Sequence, residues 1–133
     1  MHTCLGWFLM KSEKGQSLVE FALILPILVL LLFGIIDFAR IFHVYLTMDH
    51  AGREAARAAS IGKDDSTIKS TAVSDASSIG LTADKVGVTP SGTKTSGSNI
   101  SITITYPITF LTPVIGNIVG PITLTDTTVM RVE

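Results

Sequence analysis

From residue 21 to residue 36 the chain reads FALILPILVLLLFGII, with no charged and no polar side chain. At about 1.5 Å per residue this run covers about 24 Å as a helix, and adding Leu18 to Glu20 brings it near the ~30 Å thickness of a hydrocarbon core. The pattern predicts one transmembrane helix. It is too long for a secretory signal's apolar region, and the following DFARIF has no small-residue cleavage site. The helical period then continues without a stop through Phe38, Ile41, Phe42, Tyr45 and Met48. Asp37 with Arg40, Asp49 with Arg53 and His50 with Glu54 are spaced to pair along the helix, and read as a solvated polar face. AGREAARAAS follows at 51–60, rich in helix-favouring alanine. Gly52 and Ala56, with Ala51, Ala55 and Ala59, leave one side slim enough for close approach of another helix or a sheet. Glu54 lies between Arg53 and Arg57, which favours a packed helix face over a basic patch.

Gly62 breaks this helix, and Asp64, Asp65 or Ser66 can cap a second one, whose stripe is Ile68, Ala72, Ala76 and Ile79 before Gly80. Val86 and Val88 mark a strand, and PSGTKTSGS at 90–98 reads as a loop. Ile100, Ile102, Ile104 and Tyr106 alternate with hydroxyl residues, as do Ile122 and Leu124, whose parity continues at Met130 and Val132. The fold class is therefore α+β: a long N-terminal transmembrane helix continues into an exported helix, then a small domain has a short helix and about three antiparallel strands. Residues 107–121, PITFLTPVIGNIVGP, carry no charge and are too few to span a membrane. They are expected to be core with partial exposure, the alternative being a surface resting on the membrane or a partner. The expected divisions are a leader at 1–15, the helix at 16–61 and the extracytoplasmic domain at 62–133, with residues 63–133 able to fold without the span.

Charge and composition narrow the function. Ten Lys and Arg against eleven Asp and Glu give a net charge of −1 with no basic cluster, which argues against nucleic acid as a partner. A single cysteine, Cys4, excludes an intrachain disulfide, and His2, His43 and His50 form no recognisable metal motif. No phosphate loop, nucleophile elbow or metalloprotease motif occurs, so neither enzyme activity nor a cofactor is expected.

Glu20, a carboxylate at the mouth of the apolar run, asks for a reason, because a charge costs about 2.5–3.5 kcal/mol at the centre of a spanning helix and less near its ends. A helix-start glutamate favoured by the dipole is one reading. Another comes from its neighbours. Gly15 precedes it, Glu20 is the fifth residue after that glycine, and Phe21 follows. This resembles a type IV prepilin processing site, with Gly15, Gln16, Glu20 and Phe21 as its residues. Together with FGIIDFARIF and AGREAARAAS, the pattern resembles the TadE-like family of pseudopilins from tight-adherence (Flp) pilus systems. Gly34, Asp37, Arg40, Arg53, Glu54, Ala55, Ala56 and Arg57 are the matching positions, and the resemblance runs from about Gly15 to Ser60.

The resemblance implies cleavage after Gly15, and a Glu20 carboxylate that neutralises the Gln16 ammonium of a neighbouring subunit, since buried charges are tolerated when paired. It implies subunit packing through Glu20, Pro26, Gly34, Asp37, Arg40, Gly52, Arg53, Glu54, Ala55, Ala56 and Arg57. The implied partners are an aspartate-type prepilin peptidase, the major Flp-type pilin, other pseudopilins, the membrane platform, the assembly ATPase and the lipid bilayer. The implied place is the cytoplasmic membrane, single-pass, with Lys11 and Lys14 inside and the C-terminal domain outside. A minor subunit is expected rather than the major one, because a substantial domain follows the helix. The first ten residues, MHTCLGWFLM, depart from a short basic leader, and a start at Met10 would give the compact MKSEKG. The alternative is an uncleaved single-pass adaptor with an extracytoplasmic binding domain.

Overall fold

The computed structural model describes residues 5–133, with side chains from residue 13 onward. His2 and Cys4, and the side chains of Trp7, Met10 and Lys11 on which the leader readings rest, lie outside the described residues. Helix α1, Leu5–Ser60, is a single element of 56 residues, about 84 Å long. After it come α2 (Asp65–Asp75), two short 3-10 turns, β1 (Val86–Thr89), β2 (Asn99–Ile108), α3 (Pro113–Val119) and β3 (Ile122–Arg131). The strands form one antiparallel sheet in the order β1-β2-β3. The chain is therefore α+β, with one long apolar helix ahead of a small helix-on-sheet domain.

Gly62 ends α1 by taking φ +76°, a left-handed conformation that glycine adopts without Cβ strain. Asp64 then caps α2: its carboxylate accepts from the Thr67 N–H at 3.2 Å and the Thr67 hydroxyl at 2.6 Å. The Ser66 and Thr67 hydroxyls and the Thr67 N–H hold the Asp64 carboxyl well below the usual carboxylate range. On α2, Ile68 and Ala72 are buried, and Ala76 is buried at the C-cap. Ile79, the last of the expected stripe, falls instead in the 3-10 turn Ser77–Ile79, where its carbonyl accepts the Tyr106 hydroxyl at 2.6 Å.

The core lies between the second half of α1, α2 and the inner face of the sheet. Met48, Ala51, Ala55, Ala56 and Ala59 of α1 have no exposed surface, and neither have Ile68, Ile100, Ile102 or Ile104. Small side chains let the helix axis come close to the strands. Gly52 is a point of close approach: a Cβ there would stand 2.9 Å from both Asp126 Oδ2 and Thr128 Oγ1. The boundary expected at residue 61 thus divides in sequence what packs together in space, because the C-terminal domain takes its central helix from α1.

Residues 107–121, expected to be core with partial exposure, are more exposed than buried. Ile108 and Thr112 are buried, but Leu111, Val114, Ile115, Ile118 and Val119 are exposed. Ile108 pairs with Ile122 at the last rung of the sheet, so the connection between them extends past the sheet's end, where no inner face remains to cover it.

Candidate assembly surface and its anchor

No residue of the apolar run 21–36 is buried by its own chain, and only Phe33 and Gly34 are half-covered. The most apolar window of α1 has no buried residue, and the helix from Glu13 is long and apolar enough to cross a membrane. Exposed leucine and isoleucine on every side make this a helix for lipid or for other helices, not for water. Gly15 and Gly34 both stand in open space. Pro26 lies inside the helix and has no N–H to donate, so the backbone carbonyl of Ala22 loses its usual intrahelical partner. Gln16 Nε2 donates to Glu20 Oε1 at 3.4 Å, which places residue 16 and the carboxylate on the same face, exposed and available to a neighbour.

Beyond the run the expected aromatic stripe divides. Ile41, Val44 and Met48 turn toward the domain. Phe38, Phe42, Tyr45 and Leu46 are exposed, and the Phe38 and Phe42 rings stack with centroids 6.4 Å apart at 9°. A helical period shows that residues share a side; only the packed domain decides which side is covered.

Asp37 is not part of a solvated face. It is only 3% exposed and binds the β2–β3 connection across the fold. The N–H groups of Leu111 and Thr112 donate to its two oxygens at 2.7 and 2.9 Å, and the Thr112 hydroxyl donates at 2.6 Å. Arg40, three residues on, lies 3.7 Å from the same carboxylate and donates to the Thr109 carbonyl at 3.3 Å. A buried carboxylate needs such partners, because an uncompensated one would cost several kcal/mol. Thr112 precedes α3 but makes no side-chain cap, since its hydroxyl is given to Asp37. The sequence signal was an aspartate at the foot of an apolar run, but its partners are 74 and 75 residues away.

The positions expected to pack between subunits fall into two sets. Asp37, Gly52, Ala55 and Ala56 are buried within the chain itself, covered by the sheet, α2 and the β2–β3 connection. Glu20, Pro26, Arg40, Arg53 and Arg57 are exposed, and Gly34 and Glu54 are half-buried. Arg53 pairs with Asp49 at 3.1 Å. Among the described residues no hydrogen bond or ion pair joins His50 to Glu54. Asp126, facing Gly52 from β3, has its carboxyl pushed up by burial and by the negative charge of Asp49. Among the described residues no three histidine, cysteine, aspartate or glutamate side chains are grouped to hold a metal ion.

Residues 15–57, about a third of the chain, match the family model described as TadE-like protein. The matched segment begins at the glycine of the suspected processing site and ends in the alanine-rich stretch. It bears out the resemblance to the TadE-like family, a family of non-enzymatic pilus components, and it points to a component associated with a tight-adherence pilus. No curated protein and no solved structure matches the chain significantly.

Proposed function

We propose that this chain is a minor pilin or pseudopilin-like component of a tight-adherence pilus assembly or secretion system. It is cut after Gly15 by a prepilin peptidase and packs through α1 beside the major Flp-type pilin and other pseudopilins, above the membrane platform and its ATPase. The observation that carries the reading is the TadE-like match over a helix whose apolar half no part of its own chain covers. Such a surface is stable only in lipid or against other helices.

In this reading cleavage leaves Gln16 with an α-ammonium, cationic below pH ~8. Glu20 lies one turn along the same face, where it neutralises that charge on the neighbouring subunit as both leave water. With Gly52, Ala55 and Ala56 occupied inside the chain, contacts along the exported half fall to Phe38, Phe42, Tyr45, Arg53 and Arg57. The domain would face the extracytoplasmic side, anchored in the cytoplasmic membrane by residues 21–36.

Intact-mass or N-terminal sequencing of the native membrane-bound protein tests this. A first residue of Gln16 is expected. A chain that keeps Lys11 to Gly15 would favour the uncleaved adaptor, and Gly15→Leu should abolish the processed species.

A further inference from the structure

The β2–β3 connection is the part of the domain nearest the apolar run, and its helix α3 presents an uncovered apolar face. The alignment of the sheet along α1 sets its height. At the far end the Glu133 N–H donates to the Ser60 carbonyl at 2.9 Å. Gly52 then lies against Asp126 and Thr128, Arg40 reaches Thr109, and Asp37 holds Leu111 and Thr112. Descending α1 from Ser60 to Asp37 thus means moving along the sheet to its β2–β3 end. α3 starts at Pro113, immediately after the residues bound to Asp37, and Asp37 immediately follows the apolar run. Residues 21–36 cover about 24 Å of a ~30 Å hydrocarbon core, so the boundary falls within about one turn of Asp37.

The face itself is uniform. At about 100° per residue, Val114, Ile115, Ile118 and Val119 share an arc of about 140° on α3, and all are exposed, Ile118 by 79%. The opposite side carries Gly116, where a Cβ would meet the Phe110 carbonyl at 3.6 Å, so α3 rests on its own loop by that side. Leu111 extends the outward face, and no charge occurs from residue 107 to residue 121. Phe38 adds an exposed ring at the same level of α1, and the exposed Phe42 and Tyr45 follow about 7.5 and 12 Å beyond Asp37 along the helix.

We propose that α3 is an interfacial foot, its Val114, Ile115, Ile118 and Val119 face entering the boundary between headgroups and acyl chains beside the point where α1 leaves the bilayer. This rests on reading residues 21–36 as a membrane span. The occupant is lipid rather than a neighbouring subunit, because the Asp37 hydrogen bonds hold the face one residue beyond the span, at a depth lipid already fills. A second contact beside α1 fixes how the domain is turned about the helix axis. Because the face is uncharged, neutral phosphatidylcholine suffices.

The test uses the full chain in phosphatidylcholine vesicles, at about one copy per vesicle, with the single tryptophan removed as Trp7→Phe. Ile118→Trp, Thr125→Trp and Leu28→Trp are then compared, using lipids with a doxyl quencher near the top or the end of the acyl chain. Ile118→Trp should be blue-shifted and quenched about two-fold by the shallow quencher, since an interfacial helix sits about 5–10 Å into the boundary. Thr125→Trp, on the exposed outer face of the sheet, should be unaffected. Ile118→Trp in water while Leu28→Trp is quenched by the deep probe would overturn the foot and leave the span standing. Loss of quenching at Leu28→Trp would remove the span and the foot with it. Shielding of Ile118→Trp only after other pilus subunits are added would make the face a subunit contact and also overturn the proposal.

Discussion

Cutting the chain at residue 62, between α1 and α2, should abolish folding of the C-terminal part, although the cut falls at the glycine that ends a helix. A fragment of residues 63–133 keeps α2 and every strand, but loses Val44, Met48, Ala51, Ala55, Ala56 and Ala59 from the core. Burying Val44 and Met48 is worth about 1.5–3 kcal/mol each, and each alanine methyl about 0.8, so the missing side chains alone remove about 6–9 kcal/mol. The partners suffer as well. Ile68, Ile100, Ile102 and Ile104 have no exposed surface in the intact fold and would be opened to water on the α1 side. Domains of this size are stable by only about 5–15 kcal/mol, so the loss is decisive. A fragment of residues 37–133 keeps the whole core and the Asp37 anchor, and should fold. Both fragments, in the same mild detergent, are compared by thermal melting followed by circular dichroism and by the dispersion of their amide NMR spectra. The longer should show a cooperative transition and dispersed peaks, the shorter neither. A cooperative, dispersed 63–133 with the same melting temperature as 37–133 would refute the assignment of α1 to the core.

Gly52→Val should destabilise residues 37–133 by about 1–3 kcal/mol in denaturant titration, because the new side chain meets Asp126 and Thr128 at 2.9 Å. Asp37→Ala leaves the Leu111 and Thr112 N–H groups without their acceptor, so hydrogen exchange should speed up across residues 109–121 while Ile100 to Ile104 stay protected. Burial and Asp49 raise the Asp126 pKa, so the folded state holds that proton more tightly than the unfolded one and loses stability as pH rises through the raised value. Asp126→Asn should therefore raise the melting temperature at neutral pH, by an amount that shrinks on acidification toward the ordinary pKa of about 3.9. Glu20→Leu should reach the membrane and be processed normally but fail in subunit crosslinking and pilus formation; normal assembly would make Glu20 an ordinary helix-start residue.

What the sequence determined by itself is local or periodic. Sixteen consecutive apolar residues, with Leu18 to Glu20 ahead of them, specify a helix of near-spanning length, alternation of isoleucine with serine and threonine specifies β2, and Gly62 with Asp64 specifies where one helix stops and the next begins. The Gly15, Glu20 and Phe21 pattern was visible for the same reason, being short and in fixed register. What only the tertiary structure decided involves partners far apart along the chain. The alanines at 51–59 announced close packing, but whether against a neighbour or against their own sheet depended on strands some fifty residues later. Phe38 and Ile41 were indistinguishable by period until the domain covered one side of α1. Asp37 looked like half of a surface ion pair until the chain returned with two N–H groups and a hydroxyl to fill its oxygens. A side chain's environment is set by what folds back onto it, and a one-dimensional pattern carries that only where the partner is a near neighbour.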